Sequence, residues 1–283
     1  MGAAPVSVEA LRAALGERAA ALEIECVAET GSTNADLLER ARTEAAFRPR
    51  LLVAEHQTAG RGRRGRHWHA TPGASLTFSL AWPLATADLS GLSLAIGVAV
   101  AEAIDPAHSV HRHVAIKWPN DLWLVDAADD GRKLGGILIE TAPTEGGRIA
   151  VIGVGLNVLE QRVAEASSGV AWLRQIDAGA TTASTLERIV PALLDALAHF
   201  DETGFAAFAP RFTARDLLRG RSVRCSSNGD AKAIDGVAVG VSPSGELLLR
   251  TTRGVEAVGS GEVSVRLADD RAPATPETAR APC

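Results

Sequence analysis

The chain has 283 residues, 46% of them hydrophobic and 22% charged, enough to bury one large core and a smaller one. No apolar run approaches the roughly 18 residues that a membrane-spanning helix needs, so a helical membrane protein is excluded. The formal net charge of -5 opposes nucleic acid or an anionic membrane as the main partner, and any basic cluster has to be a local device.

The opening "MGAAPVSVEALRAALGERAA" reads as an amphipathic helix without the cationic start or apolar core of a secretion signal, and a cytoplasmic location is expected. Cys26, Cys225 and Cys283 are too scattered for a disulfide framework or a metal-ligand spacing, and reduced thiols are expected. A strand is expected over Ile24 to Glu29. A helix then starts within Ser32-Thr33-Asn34, where Thr33 and Asp36 have capping-box spacing and Leu37, Leu38, Ala41 and Ala45 make one apolar face. Strands are expected over Leu51 to His56 and Ser75 to Leu84, and a buried helix from Leu89 to Ile104 that stops at Asp105-Pro106. From His113 to Leu159 the pattern is an antiparallel meander with short polar turns, broken at Pro119, which lacks a ladder donor. An irregular connection (160–181) leads to two helices, Ala183 to Phe200 and Gly204 to Leu218. Arg221 to Leu267 then gives about five short strands, the pattern of a small closed β-barrel. The expected division is a catalytic domain over 1–219, a barrel over 220–268 and a disordered Pro/Ala-rich tail over 269–283.

The segment "GRGRRGRHW" (Gly60 to Trp68) places four arginines on a glycine-rich loop with no acidic residue near them in sequence. It matches G-x-G-x-x-G, but Pro72 and Gly73 leave no room for the crossover helix that a dinucleotide site needs, and no G-K-[ST] follows to make a P-loop. Like charges about 4 Å apart repel by about 1 kcal/mol even in water, and ordering such a loop is entropically costly. Left alone it is expected to be mobile. An anion that takes the rigid fork of arginine donors offsets both terms, so the loop reads as a flap over a phosphorylated or carboxylated small molecule. The histidine pairs His67/His69 and His111/His113 have no accompanying cysteines or clustered carboxylates and read as ordinary histidines; no protein metal site is expected.

Five motifs occur in order: "GSTN" (Gly31 to Asn34), "EHQTAGRGRRGRHW" (Glu55 to Trp68), "KWPND" (Lys117 to Asp121), "KLGGILIE" (Lys133 to Glu140) and "GVGLNV" (Gly153 to Val158). Together they resemble bacterial biotin protein ligases over roughly residues 24 to 267. The resemblance implies an α+β fold, a mixed, mostly antiparallel sheet covered by helices (class II synthetase-like) with an SH3-like C-terminal barrel. It implies that biotin and Mg-ATP give biotinyl-5'-AMP and pyrophosphate, and that a lysine of the biotin carboxyl carrier protein then takes the biotin. By the same resemblance Ser32, Thr33, Asn34 and Gln57 surround the biotin ureido ring; Arg61, Gly62 and Arg63 close over the adenylate; Arg66 and Trp68 lie near the nucleotide, Trp68 stacking on adenine; Asn120 and Asn157 touch the nucleotide or its Mg2+; and Trp172 helps close the adenine pocket.

The chemistry makes its own demands. Bringing a carboxylate onto an α-phosphate joins two anions, which repel unless cations neutralise both. Lys133, starting a strand after a polar turn, is expected to be that cation, and Arg63 to hold the α-phosphate and retain the anhydride. Gly135 and Gly136 are expected to admit close approach of a planar substrate, Gly136 as part of the biotin site. Asp121 reads equally as a strand anchor and as a catalytic group. About 23 residues precede the first strand and they are not basic, so no DNA-binding winged helix, and no nucleic-acid partner, is expected. A symmetric dimer through a sheet edge follows from the resemblance alone. Two rival readings stay open: a lipoate or octanoate ligase or transferase of the same fold, although none of the cysteines lies in a motif, and a non-catalytic ligand- or nucleic-acid-binding module built on the arginine loop.

Overall fold

A computed structural model describes residues 6–44, 47–86, 88–127, 131–144, 147–161, 169–227, 233–261 and 263–267. The expected tail over 269–283 and Cys283 lie outside the described residues. The chain forms two compact units, residues 1–217 with the turn Pro243–Gly245, and residues 218–242 with 246–283.

The first unit is built on a seven-stranded sheet. In chain order its strands are β1 (Glu23–Thr30), β2 (Arg50–Gln57), β3 (Ser75–Leu84), β4 (Arg112–Lys117), β5 (Asp121–Asp126), β6 (Gly131–Thr144) and β7 (Gly147–Asn157). Their spatial order is β1-β2-β3-β7-β6-β5-β4. Only β1 and β2 are parallel, because helix α2 (Thr33–Thr43) carries the chain from one to the other; every other pair is antiparallel. Pro119 acts as expected: β4 ends at Lys117, the chain turns through Trp118–Asn120, and β5 pairs back against β4.

Alternation along the strands gives the sheet two faces. One carries Phe78, Leu80, Ile137, Ile152 and Val154, all buried, and helices α3 (Leu92–Ile104) and α4 (Thr182–Thr203) pack together there, with α1 (Val8–Leu15) against α4. The buried run from Leu92 to Ala101 follows from that position, apolar nearly all round because it is enclosed nearly all round. On the opposite face α2 covers only part of the sheet: Leu37, Leu38 and Ala41 pack on Leu52, Ala81, Ala142, Ile149 and Val151. Beyond α2 this face carries Thr77, Ser79, Gly153, Gly155 and Gly136, small residues that form a floor bordered by Leu138 and Glu140 of β6.

Two helical expectations change. Ser32, not Thr33, caps α2, its Oγ accepting from Ala35 N; the Thr33 hydroxyl turns instead toward Gln57 and Ser79. The helix expected from Gly204 to Leu218 contracts to a 3-10 turn (Phe205–Ala207) and the five-residue α5 (Ala209–Thr213). Beyond it the backbone pairs with the edge of β4, Ile116 N donating to Arg215 O and Leu217 N to Ile116 O, and those bonds replace helical ones.

The second unit contains β8 (Ser222–Ser227), β9 (Ile234–Val241), β10 (Leu247–Thr251), β11 (Gly254–Val258) and β12 (Val263–Leu267), all antiparallel, in the order β11-β10-β9-β8-β12. The five expected strands are present. Among the described residues no ladder joins β11 to β12, so the unit is an antiparallel sheet without a hydrogen-bonded closing seam.

Candidate active site

The uncovered floor is bordered on one side by the N-terminus of α2. Thr33 N donates to Gln57 Oε1 at 2.8 Å, Thr33 Oγ1 lies 3.1 Å from that oxygen and 2.7 Å from Ser79 Oγ, and Ser79 Oγ donates to Asn34 Oδ1 at 2.7 Å. Ser32, Thr33, Asn34, Gln57 and Ser79 are all buried. The strand-to-helix turn and the end of β2 thus bring the four residues expected at the biotin ring to one place, with Thr33 and Asn34 linked through a fifth, Ser79, that the sequence reading did not single out. Its trace was visible: Thr77 and Ser79 are small polar residues on one face of an otherwise apolar strand.

The arginine loop lies over the other side of the floor. It has local structure of its own: Gly62 N donates to Arg66 O and Trp68 N to Gly60 O, Arg61 bridges to His67, and Arg63–Gly65 form a 3-10 turn in which Arg64 takes φ 60°. No helix follows before β3, as the rejected dinucleotide reading required. No acid lies near the guanidinium groups in sequence, but the fold brings acids to them. Arg61 Nη2 stands 3.2 Å from Glu140 Oε1 of β6, and Arg63 Nη1 donates to Asn120 Oδ1 at 3.2 Å, next to Asp121. Acids remote in sequence supply what the loop itself lacks. Burial is the main cause that holds the Arg63 pKa below its usual value; the Asp121 charge acts against it, and Arg64 and Arg66 add to the depression. Arg63 is therefore a desolvated cation with positive neighbours, a setting that favours an incoming anion. Arg66 is exposed and contributes its carbonyl to the turn.

Trp68 lies on the glycine floor. A Cβ added at Gly155 would sit 2.4 Å from Trp68 Cε2, and one at Gly153 would sit 2.4 Å from Asn34 Oδ1; both glycines make room for side chains that line the site. The neighbouring pair divides. A Cβ at Gly135 would strike Gly155 O at 2.5 Å, so Gly135 serves strand packing rather than ligand approach, whereas one at Gly136 would stand 3.3 Å from Asp121 Oδ1 and 3.5 Å from Lys133 Nζ, on the site face.

Lys133 reaches that face because of a bulge. Leu122 pairs with Gly135 and Trp123 with Lys133, which leaves Leu134 as an extra residue in β6. Under strict alternation Lys133 would share the face of Gly135; the bulge turns it to the side of Gly136. Its ammonium donates to Asp121 Oδ1 at 2.7 Å, and the side chain is 37% exposed. Asp121 thus acts as the anchor of the lysine. Asn120 is fixed as well, its Nδ2 donating to Ile137 O at 2.8 Å while its Oδ1 receives Arg63. Asn157 donates to Ala171 O at 3.1 Å and accepts from Gln161 Nε2; because Ala171 N in turn donates to Lys133 O at 2.8 Å, this amide holds the segment carrying half-buried Trp172 beside Lys133.

Among the described residues no group of three or more His, Cys, Asp or Glu is placed to hold a metal, and no helix is long and apolar enough to cross a membrane. A magnesium ion carried by nucleotide phosphates needs only one or two protein ligands, and the carboxylate and amide oxygens of Asp121 and Asn120 are hard donors suited to it.

The comparison with known proteins agrees with this arrangement. Residues 27–157 match the Biotin/lipoate A/B protein ligase family and residues 220–266 the Biotin protein ligase C terminal domain. The chain is 37% identical over 222 residues to the "Bifunctional ligase/repressor BirA" of Salmonella typhimurium, covering 77% of this chain but only 67% of that protein. It is 34% identical over 245 residues to the "Biotin--[acetyl-CoA-carboxylase] ligase" of Mycobacterium tuberculosis, covering 85% of this chain and 88% of the relative. The biotin protein ligase of Aquifex aeolicus in complex with biotin and ATP superposes with a TM-score of 0.72 at 28% identity, covering 87% of this chain and 99% of that one. The chain belongs to the biotin protein ligase family.

Proposed function

We propose that the protein joins biotin to ATP and passes the biotinyl group to a lysine of a biotin carboxyl carrier protein, the carrier of acetyl-CoA carboxylase or a related carboxylase. In the first step a biotin carboxylate oxygen attacks the α-phosphorus, the α–β phosphoanhydride bond breaks, and pyrophosphate leaves. In the second the uncharged carrier amine attacks the acyl carbon, an amide forms, AMP leaves, and the amine proton is lost to solvent.

The observation that carries this reading is one floor of small residues with an uncharged polar pocket at one end and two held cations at the other. Thr33, Asn34, Gln57 and Ser79 form a buried hydrogen-bonded set suited to a neutral ring that both donates and accepts. Lys133 and Arg63 flank Asp121 and Asn120, positioned for a carboxylate and a phosphate that must be neutralised together. Arg61 and Gly62 begin the covering loop, and Trp68 and Trp172 offer the flat surfaces a purine needs. Magnesium enters with ATP as part of the substrate and neutralises phosphate charge. The free thiols of Cys26 and Cys225 fit a cytoplasmic setting, and a homodimer, checked by light scattering, belongs to the same proposal.

The test is pyrophosphate release from the purified protein. Release that requires biotin together with ATP, followed by labelling of a carrier domain, is expected. Release with lipoate or octanoate in place of biotin, or none with any acid, overturns the reading.

A further inference from the structure

Glu140 is unexpected where it lies. It shares the site face of β6 with Gly136 and borders the apolar cluster under α2 that includes Ala142 and Val151. A carboxylate there puts negative charge beside an otherwise uncharged polar pocket, and a half-desolvated acid persists only where donors compensate it.

Two donors do, one from each side of the site. Asn34 Nδ2 of α2 donates to Glu140 Oε2 at 2.9 Å, and Arg61 Nη2 of the arginine loop stands 3.2 Å from Glu140 Oε1. Because a carboxylate only accepts, it decides, together with the more distant Leu138 O at 3.4 Å from the same nitrogen, which end of the Asn34 amide faces it. The Asn34 oxygen is then directed at Ser79, whose single hydroxyl proton goes to it at 2.7 Å. Ser79 Oγ is left to accept from Thr33 Oγ1 at 2.7 Å, and Gln57 Oε1 to accept from Thr33 N at 2.8 Å. One carboxylate thus sets the donor direction from Asn34 through Ser79 to the Thr33 hydroxyl, while Gln57 is set by the Thr33 backbone N–H, and it also holds the first arginine of the loop, at the point where Arg61 bridges to His67 and the loop closes.

Resting on the reading above, we infer that Glu140 is a positioning residue: it latches the arginine loop to the biotin end of the site through Arg61 and orients Asn34, and so lengthens the residence of the bound adenylate. It touches neither reacting atom.

The experiment uses the whole chain. Glu140→Gln keeps the shape but has one acceptor atom for two donors. In the protein without substrates, trypsin is expected to cut within Arg61–Arg66 about fivefold faster in Glu140→Gln than in wild type, the scale of a partly exposed ion pair. With biotin and ATP, the variant is expected to release biotinyl-5'-AMP about fivefold faster and to bind biotin more weakly, because Asn34 loses the carboxylate that orients it, with circular dichroism unchanged, a combination that a general loss of folding would not give. Arg61→Gln is expected to match it in release but not in biotin binding, and the double variant to release no faster than Glu140→Gln, since the latch is one contact. Should Glu140→Gln not fold, Glu140→Asp, which keeps the charge but shortens the reach, carries the same test. Wild-type cutting and release in these variants, or single effects that multiply in the double variant, overturn the inference. A wild-type protein that makes no adenylate defeats the functional proposal instead, and the trypsin comparison still judges the latch.

Discussion

Thr33, Asn34 and Gln57 are 3%, 3% and 8% exposed and are tied through Ser79 by hydrogen bonds of 2.7 to 3.1 Å, whereas across the floor Arg61 has half its side chain in solvent and meets Glu140 at 3.2 Å. The first region stands on a helix N-terminus and strands that the core already fixes. The second is a loop held by its own turn and by contacts from residues far away in sequence. A pocket for a neutral ring gains from being rigid before the ligand arrives. A cover for an anionic intermediate has to admit it and then keep it, which favours contacts that a ligand can join or replace. Variants on each side should therefore fail in different ways.

The largest failure is expected at the rim where the two regions meet. Lys133→Ala removes the cation that the Leu134 bulge turns onto the site face; loss of one preorganised charge of this kind costs about 10²–10³ in rate. Biotin-dependent exchange of pyrophosphate into ATP should fall by at least that factor with little change in melting temperature, because the lysine is 37% exposed. Retained exchange would remove Lys133 from the chemistry.

Arg63→Gly acts on the cover alone. The variant should still form the adenylate but lose it about 10- to 100-fold faster, the worth of one or two charge-assisted hydrogen bonds. Freed biotinyl-5'-AMP then acylates lysines of bystander proteins, and their labelling by the variant but not by wild type is the measurement. Retention equal to wild type would show that the rest of the loop, with Arg61 on Glu140, does the holding.

The glycines of β7 separate the two regions most directly. Gly153→Ala drives a methyl toward the buried amide of Asn34, and Gly155→Ala drives one toward the indole of Trp68, each to 2.4 Å. Asn34 is held by Ser79 and Glu140 and has no free direction to move; overpacking of that kind costs about 1–3 kcal/mol. Trp68 belongs to the loop and can lift with it. Chemical denaturation should therefore show Gly153→Ala clearly destabilised and Gly155→Ala near wild type, with Gly155→Ala impaired in ATP binding instead. Equal destabilisation of the two would mean that the loop is as firmly built as the pocket.

The turn that carries Ser32, Thr33 and Asn34 was legible in the sequence because it is local, while their assignment to the biotin ring, with that of Gln57, came from the resemblance alone. Ser32, Thr33 and Asn34 are adjacent, their turn follows from the end of the β1 pattern and the start of the α2 pattern, and Gln57 closes the neighbouring parallel strand. The sheet was legible for the same reason, since each pair after β3 and β7 is a short-range hairpin. What escaped was non-local. Glu140 lies 79 positions beyond Arg61 in the numbering, and nothing in the charge run reveals that an acid will stand against it. The bulge that turns Lys133 depends on how β6 registers with β5, and the short α5 on a backbone pairing with β4 that no helical periodicity foreshadows. The partners of the loop were hidden on the same ground: its charge was counted without the strands below.

The smallest effect is expected from Trp68→Phe, and it bears on the contrast most finely. Each of Ser32, Thr33, Asn34, Gln57 and Ser79 makes at least one hydrogen bond, while the buried Nε1 of Trp68 has no partner among the described residues. A buried donor without an acceptor weighs against the fold, so replacing the indole by a phenyl ring should leave stability unchanged or slightly raised. If that N–H is kept for the nucleotide, the same change should weaken ATP binding about two- to tenfold, the worth of one ordinary hydrogen bond, and leave biotin binding alone. Titration calorimetry with each substrate separates the outcomes. A loss of biotin affinity instead would place Trp68 with the rigid pocket and redraw the boundary between the two halves of the site.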